Sequence, residues 1–138
     1  YYVYRLKMGD HVQTGLVVAA SVADYDVNRV RKHEFTRPDK EDDRVRQIEA
    51  LNAQTGPVLL AYKADDAVDA IIENAAAGAA LYDVTADDGI QHTLWRIADA
   101  ATVDRLTLLF DAMTALYIAD GHHRSAAASR VAAARRGK

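Results

Sequence analysis

The sequence of 138 residues contains no cysteine. A disulfide framework, a thiolate metal site, a catalytic thiol and a redox switch are therefore excluded. Its apolar runs, such as Val58–Tyr62, are far too short to span a bilayer. The first residues alternate in the manner of a strand and do not resemble a signal peptide. These absences predict a soluble, cytoplasmic protein without a membrane partner.

An excess of positive charge is also absent. The chain has 17 lysines and arginines against 20 aspartates and glutamates, a formal net charge of −3. This balance argues against nucleic acid as a partner. The length and the 50% hydrophobic content predict a single domain over residues 1–138. Because the chain begins without Met inside a strand-like pattern and stops within a helical one, we expect a fragment of a longer protein.

Two hairpins are predicted from alternating, β-rich runs. Tyr1–Met8 and Val12–Val22 flank the turn signal Gly9-Asp10, and Ala80–Thr85 and Ile90–Ile97 flank Asp87-Asp88-Gly89. Helices with apolar stripes stand between and after them. The interleaving of hairpins and helices favours an α+β fold, in which helices pack on a mixed sheet.

The remaining elements follow from caps, breakers and periodicity. The patterns predict a loop over Asp24–Asp39 and strands over Val58–Tyr62 and Leu116–Ala119. Helices are predicted over Asp39–Asn52 with Asp39 as N-cap, from Asp65 or Asp66 to Gly78, over Val103–Met113 and over Ser125–Arg136. The continuously apolar Val58–Tyr62 is typical of a strand that is buried on both faces.

The strongest functional signal is the run Asp120-Gly121-His122-His123-Arg124, where a strand leads into a helix. Amides of the first helical turn lack intrahelical partners and favour an anion. Gly121 lets a ligand approach the backbone, and Arg124 can bind a phosphate through two hydrogen bonds. Asp120 could hold Mg²⁺, contact a ribose hydroxyl or orient an imidazole. The run therefore predicts a phosphate site.

The same run has a simpler interpretation, in which Asp120 is only an N-cap and the histidines are solvated. A zinc site is less favoured, because adjacent histidines diverge on a helix and metal-binding pairs usually stand three to five residues apart. We therefore predict no metal site of the protein's own, and Mg²⁺ only together with a bound nucleotide.

A second polar segment runs from Arg31 to Arg44. Lys32 and Arg44 are its candidate phosphate ligands. Glu34 stands among cations, which favour its ionised form, so that it could act as a general base toward an acceptor hydroxyl. The alternative is a solvated loop with ordinary surface ion pairs, the more frequent outcome for a charged run taken alone.

These segments resemble a prokaryotic domain family of unknown function, numbered 1015. The resemblance is carried by Lys32-His33-Glu34 with Thr36, by Lys40-Glu41 with Arg44, by Gly56-Pro57, by Asp88-Gly89 leading to Trp95, and by Tyr117–Arg124, the most specific stretch. In the family pattern an aromatic residue often follows the arginine, whereas Ser125 stands here.

The Asp-Gly-His-His-Arg turn is more distantly similar to the phosphate-binding corner of the ParB and sulfiredoxin superfamily, which includes the archaeal ADP-dependent free serine kinase. This resemblance implies a ParB/sulfiredoxin-like fold and a corner, Asp120–Arg124, that holds nucleotide phosphates. Sulfinic acid reduction is excluded, because His122 stands where sulfiredoxin has its catalytic cysteine.

Together these observations predict a nucleotide- or phosphate-binding domain that acts as a phosphotransferase or phosphohydrolase on a small hydroxylated molecule, with Mg²⁺ accompanying the nucleotide. The alternative is a non-catalytic nucleotide-binding regulatory module. The candidate catalytic residues are Glu34, Asp120 and His123, and the candidate phosphate- or nucleotide-binding residues are Gly121, His122, Arg124, Lys32 and Arg44.

Overall fold

A computed structural model describes residues 1–137, which form seven strands and five helices. In chain order these are β1 (Tyr2–Met8), β2 (His11–Val17), α1 (Val22–Asp26), β3 (Val30–Arg31), α2 (Pro38–Leu51), β4 (Leu59–Ala61), α3 (Asp66–Ala76), β5 (Tyr82–Thr85), β6 (Gln91–Arg96), α4 (Ala100–Asp111), β7 (Leu116–Asp120) and α5 (His122–Arg135). The predicted α+β class is confirmed.

The elements divide between two compact units. The first comprises Tyr1–Ala19 and Ala64–Met113, and the second comprises residues 20–63 together with 114–137. Every candidate site residue predicted from the sequence belongs to the second unit.

The first unit is a four-stranded antiparallel sheet in the order β2-β1-β6-β5, with α3 packed against β1 and β6. Both predicted hairpins are confirmed. Val3, Val68, Trp95 and Leu106 are buried between sheet and helices, and the Trp95 indole donates to the Gly78 carbonyl at 3.1 Å. Burial of such side chains is the main stabilising contribution to a fold of this size.

Side-chain caps fix where α3 and α4 begin. Asp65 accepts hydrogen bonds from the amides of Ala67 and Val68, as predicted, and Asp99 accepts one from the amide of Thr102. Each cap satisfies first-turn amides that have no partner within the helix.

The second unit is built on a three-stranded sheet in the order β3-β7-β4. β3 runs parallel to β7, and β4 runs antiparallel to it with an irregularity between Leu59 and Leu60. Both α1 and α2 pack against α5. Val30, Ile118, Ala127 and Val131 are buried in this unit. The alanines of α5 allow the close approach of its neighbouring helices.

Two predictions for the first half of this unit are wrong. The segment Asp24–Asp39 is not a loop throughout, because the short helix α1, capped by Ser21, extends to Asp26 and Val30–Arg31 pairs with β7. Residues 32–37 are irregular, as predicted. Asp39 is not an N-cap, since α2 begins at Pro38 with Arg37 as its N-cap residue. Proline is favoured at the first helical position because its fixed φ suits the helix and its missing amide is not needed there.

Two further predictions need correction. The strand after Pro57 is not buried on both faces, because Leu59 is 51% exposed on an outer strand of the sheet. The last helix begins at His122, three residues earlier than the sequence predicts. None of the helices in residues 1–137 combines the length and apolar character needed to cross a membrane.

Candidate functional site

The two polar segments of the sequence meet because they follow neighbouring parallel strands. Val30 pairs with Leu116 and Arg31 pairs with Tyr117, so β3 and β7 end at the same edge of the sheet. The carboxyl ends of parallel strands are a common location for ligand sites. The segment after β3 carries Glu34, and the segment after β7 carries His122.

His122 is the buried centre of this junction, with a side chain only 4% exposed. Its Nε2 atom accepts a hydrogen bond of 3.3 Å from the amide of His33, and its Nδ1 atom lies 3.6 Å from Oε2 of Glu34. In a neutral imidazole one nitrogen donates and the other accepts. Because Nε2 accepts the hydrogen bond from the His33 amide, the proton of the neutral ring is on Nδ1, which faces the Glu34 carboxylate.

His123 holds the same polar segment at a second point. Its Nε2 atom accepts a hydrogen bond of 3.1 Å from the amide of Arg37. The side chain of Thr36 donates to Glu41 between these two attachments. His123 thus contacts main chain through one ring nitrogen and helps to hold residues 33–37 in place, and its catalytic role stays a prediction.

Arg124 closes the corner at Gly121. Its guanidinium donates to Oδ2 of Asp120 at 2.6 Å and to the carbonyl of Pro57. Gly121 has φ of 102°, and a Cβ there would lie 3.1 Å from Cγ2 of Val58 and 3.2 Å from Cζ of Arg124. Glycine is required for both reasons. Gly121, and not Asp120, is the N-cap residue of α5, and no side chain caps that helix.

The larger cleft of the second unit has a volume of about 290 Å³. Lys32, Glu34 and His122 line it, together with residues that the sequence analysis did not select: Tyr25, Phe35, Thr36, Glu41, Ala126, Ser129 and Arg130. Its size is at the lower end of the range for small-molecule sites.

The cleft is lined by two cations, Lys32 and Arg130, and by the carboxylates of Glu34 and Glu41. The guanidinium of Arg130 donates to Glu41 at 3.2 Å and to Asp42 at 2.7 Å, and its hydrogen bond to Asp42 is the largest contribution to the raised pKa of Arg130. Lys32 has no carboxylate within ion-pair distance among residues 1–137, and its ammonium lies 3.9 Å from the centre of the Tyr25 ring. Lys32 is therefore the lining cation without an ion pair among residues 1–137. Its charge also acts on the nearby Asp26 carboxylate, whose pKa is lowered by the hydrogen bond from Ser129 and further by Lys32.

Tyr25 forms the wall opposite this ammonium. Burial raises the pKa of the Tyr25 phenol, and the nearby Glu41 and Asp26 carboxylates raise it further. The phenol stays protonated at neutral pH and can donate a hydrogen bond, but it cannot act as a base.

A second, smaller cleft of about 50 Å³ brings together two other predicted residues. Arg44 and Arg124 line it with Gly56, and the guanidinium of Arg44 also donates to Gln47 at 2.9 Å. Seven of the eight predicted site residues therefore fall into two groups, and His123, which contacts the Arg37 amide, lines neither cleft. Lys32, Glu34 and His122 line the larger cleft, whereas Arg44 and Arg124 line the smaller one, with Asp120 and Gly121 in contact with Arg124.

Two places in the second unit offer ligand atoms that a metal ion could use. His33, Glu34 and His122 each offer a ligand atom within 4.8 Å of the others. A metal on Nδ1 of His122 would require the proton to move to Nε2, where it would face the His33 amide, so the hydrogen bonds disfavour this site. Asp120 is 74% exposed, and its Oδ2 atom is bound by Arg124. A single carboxylate is a usual protein ligand for a Mg²⁺ ion that also binds phosphates.

Ser129 and Arg130 were missed, although the sequence holds a signal for them. His122, Ala126, Ser129 and Arg130 stand at positions i, i+4, i+7 and i+8, which form one face of a helix. Because the predicted helix began at Ser125, His122 was not recognised as part of that face. No comparable signal selects Tyr25 or Phe35.

The fold and the site define an α+β protein with a carboxylate–imidazole pair, Glu34 and His122, in a cleft that is also lined by Lys32. The family of proteins of unknown function DUF1015 matches residues 1–138, and the chain belongs to this family. No curated protein matches the chain, and no solved structure matches it.

Proposed function

We propose that the second unit binds a phosphate-bearing small molecule, a nucleotide, and transfers its terminal phosphoryl group to the hydroxyl of a small acceptor. The observation that carries the proposal is the convergence of Glu34 and His122, 3.6 Å apart, in a cleft that also contains Lys32. Phosphoryl transfer asks mainly for positioning and electrostatic stabilisation, and this combination of groups can supply both.

Glu34 is the general base in this proposal. Its side chain is 60% exposed, so an acceptor hydroxyl can reach it, while the Nδ1–H group of His122 faces its other side. The acceptor oxygen attacks phosphorus, its proton passes to Glu34, and the bond to the leaving phosphate oxygen of the nucleotide breaks. General bases contribute about 10²- to 10⁴-fold to rates. His122 is a positioning residue, because both of its nitrogens already face protein atoms.

Cations of both clefts would bind the phosphates of the nucleotide. Lys32 offers an ammonium that forms no ion pair among residues 1–137 in the larger cleft, and Arg44 and Arg124 offer guanidinium groups in the smaller one. Asp120 would contribute one oxygen to the Mg²⁺ that accompanies the nucleotide, which would offset charge on the phosphates.

The test compares the full chain with Glu34→Gln and with Glu49→Gln, an exposed control on α2. The substrates are ATP, ADP and CTP with Mg²⁺ and a panel of amino acids and sugars, and both nucleotide binding and phosphate transfer are measured. We expect Glu34→Gln to bind the nucleotide normally and to lose at least about 100-fold in turnover. Failure of the unmodified chain to hydrolyse or transfer phosphate would overturn the enzymatic proposal.

A second candidate function, a non-catalytic nucleotide-binding regulatory module, is favoured by the contacts of Arg124. Its guanidinium already has an internal partner in Asp120, so an arriving anion would have to exchange with that carboxylate. Such an exchange couples binding to a local rearrangement, which is the basis of a switch. Nucleotide binding that Arg124→Ala abolishes, without turnover in any variant, would support this candidate.

A further inference from the structure

Phe35 is the most exposed of the large hydrophobic side chains in residues 1–137, with the whole ring accessible to solvent. It also belongs to the lining of the larger cleft, next to Glu34 and Thr36. An apolar ring of this size normally gains free energy by burial. Packing within the second unit therefore does not explain why Phe35 lies at the rim of a polar cleft.

The segment that carries Phe35 is held in place on both sides. The amide of His33 is bound by His122, the side chain of Thr36 by Glu41, and the amide of Arg37 by His123. These attachments fix the backbone two residues before the phenylalanine and one and two residues after it. Because the segment is already anchored, it loses less conformational entropy when a ligand binds to the aromatic ring that it carries.

The rest of the cleft is suited to the polar parts of a ligand rather than to a purely apolar one. Tyr25 brings a hydroxyl group, and Lys32 brings an ammonium with no carboxylate within ion-pair distance among residues 1–137. The hydroxyls of Thr36 and Ser129 donate to carboxylates of the protein, so they, like the lining carboxylates of Glu34 and Glu41, can accept hydrogen bonds from the hydroxyls of a ligand. One end of the ligand thus meets an aromatic face, and another meets hydrogen-bonding groups and a positive charge. A nucleoside phosphate has a flat heterocyclic base, hydroxyls and negative charge, and matches each of these surfaces.

We propose that Phe35 is the base-stacking residue of the larger cleft, which makes its ligand a nucleoside phosphate whose heterocyclic base lies on the Phe35 ring. This inference rests on the proposed function, because it assumes that the cleft binds phosphate. Stacking of a base on an aromatic side chain is tolerant of base identity, since every base has a π-face. We therefore assign a subsite for the base without a strong preference among bases.

The experiment measures the dissociation constants of ADP, CDP and inorganic pyrophosphate for the full chain and its variants by titration calorimetry. Phe35→Ala removes the ring, Phe35→Leu keeps apolar bulk without the aromatic face, and Phe35→Tyr keeps the face. Val27→Ala is the matched control, because Val27 is 74% exposed and does not line either cleft. Since Phe35 is fully exposed, its variants are expected to fold, and thermal melts check this.

We expect Phe35→Ala and Phe35→Leu to weaken ADP and CDP binding by about 5- to 150-fold, and Phe35→Tyr and Val27→Ala to leave it within twofold. Pyrophosphate binding should stay within twofold in all variants. Unchanged ADP binding in Phe35→Ala, full affinity in Phe35→Leu, or an equal loss for pyrophosphate would overturn the stacking role alone. If the unmodified chain bound neither ADP nor pyrophosphate, the proposed function would be overturned and the inference with it.

Discussion

Nδ1 of His122 lies 3.6 Å from Oε2 of Glu34, and Nε2 of the same ring accepts the amide hydrogen of His33. One buried imidazole therefore serves two purposes. It fixes the backbone immediately before Glu34, and it turns a proton toward the carboxylate. The exposed carboxylate of Glu34 is thus positioned by His122, which itself need not contact a ligand.

The two purposes of His122 can be separated by substitution. His122→Gln can place an oxygen near the Nε2 position, so it should keep an acceptor for the His33 amide while losing the proton that faces Glu34. His122→Phe removes both and leaves that amide without its partner, at a cost of about 1–3 kcal/mol. We expect the free energy of unfolding in urea to fall more for His122→Phe than for His122→Gln. Equal losses would mean that the amide contact contributes nothing.

Gly121 is predicted to be intolerant of any side chain. In Gly121→Ala the residue would keep a φ of 102° while its Cβ approached Val58 and Arg124, and such strain costs about 1–3 kcal/mol. Gly15→Ala is the control, because no atom lies within 4 Å of its Cβ position and its φ is not positive. We expect a lower melting temperature for Gly121→Ala only. A similar effect in both variants would argue against local strain.

Asp120 is predicted to compete with anions for Arg124. The two side chains form an exposed ion pair of 2.6 Å, and such pairs contribute about 1 kcal/mol or less. Without Mg²⁺, Asp120→Asn should therefore bind pyrophosphate about two- to fivefold more tightly than the unmodified chain. With Mg²⁺ present the gain should disappear, because the variant also loses a carboxylate ligand.

The control for that measurement is Asp43→Asn. Asp43 forms a surface pair with Arg46 at 3.6 Å and lines neither cleft. Weaker binding by Asp120→Asn in the absence of Mg²⁺ would contradict the competition and would point to a direct role of Asp120 in holding the anion.

Asp99 is predicted to make the stability of the first unit dependent on pH. Hydrogen bonds from the Thr102 side chain and backbone amide hold the pKa of the Asp99 carboxyl below its usual range. Its stabilisation is therefore complete above the ordinary carboxyl pKa of about 4 and is lost as the pH falls through the lowered pKa. Asp99→Ala should melt about 2–4 °C below the unmodified chain at pH 7.

Thermal melts between pH 2.5 and 7 check this dependence. The difference between Asp99→Ala and the unmodified chain should shrink below about pH 4 and vanish once the native carboxyl is protonated. Asp104→Ala, on the same helix but without a capping bond among residues 1–137, should show no such convergence. A difference that stayed constant with pH would exclude the capping carboxylate as its source.

The sequence predicted the first unit better than the second. Its hairpins depend on local alternation and turn residues, and its helices on carboxylate caps such as Asp65, so short-range signals were sufficient. The strand Val30–Arg31 has two residues and no pattern of its own, and it exists because it pairs with β7. Pairing between distant segments is not encoded in a local window.

The candidate site was predicted in its members but not in its arrangement. Composition and turn chemistry selected Glu34 and the run from Asp120 to Arg124. The grouping of Glu34 with His122, and of Arg44 with Arg124, depends on the parallel pairing of β3 with β7 and on where α5 begins. Phe35 offered no signal, because an exposed phenylalanine and a buried one look alike in a sequence.

The second unit is assembled from two stretches that the chain separates by fifty residues of the first unit, 64–113. During synthesis Glu34 leaves the ribosome long before His122, so the carboxylate has no imidazole to orient it until α5 emerges. No contiguous excised segment of the second unit alone can reproduce the cleft. Ligand binding in the larger cleft is consequently expected only for a chain that includes α5.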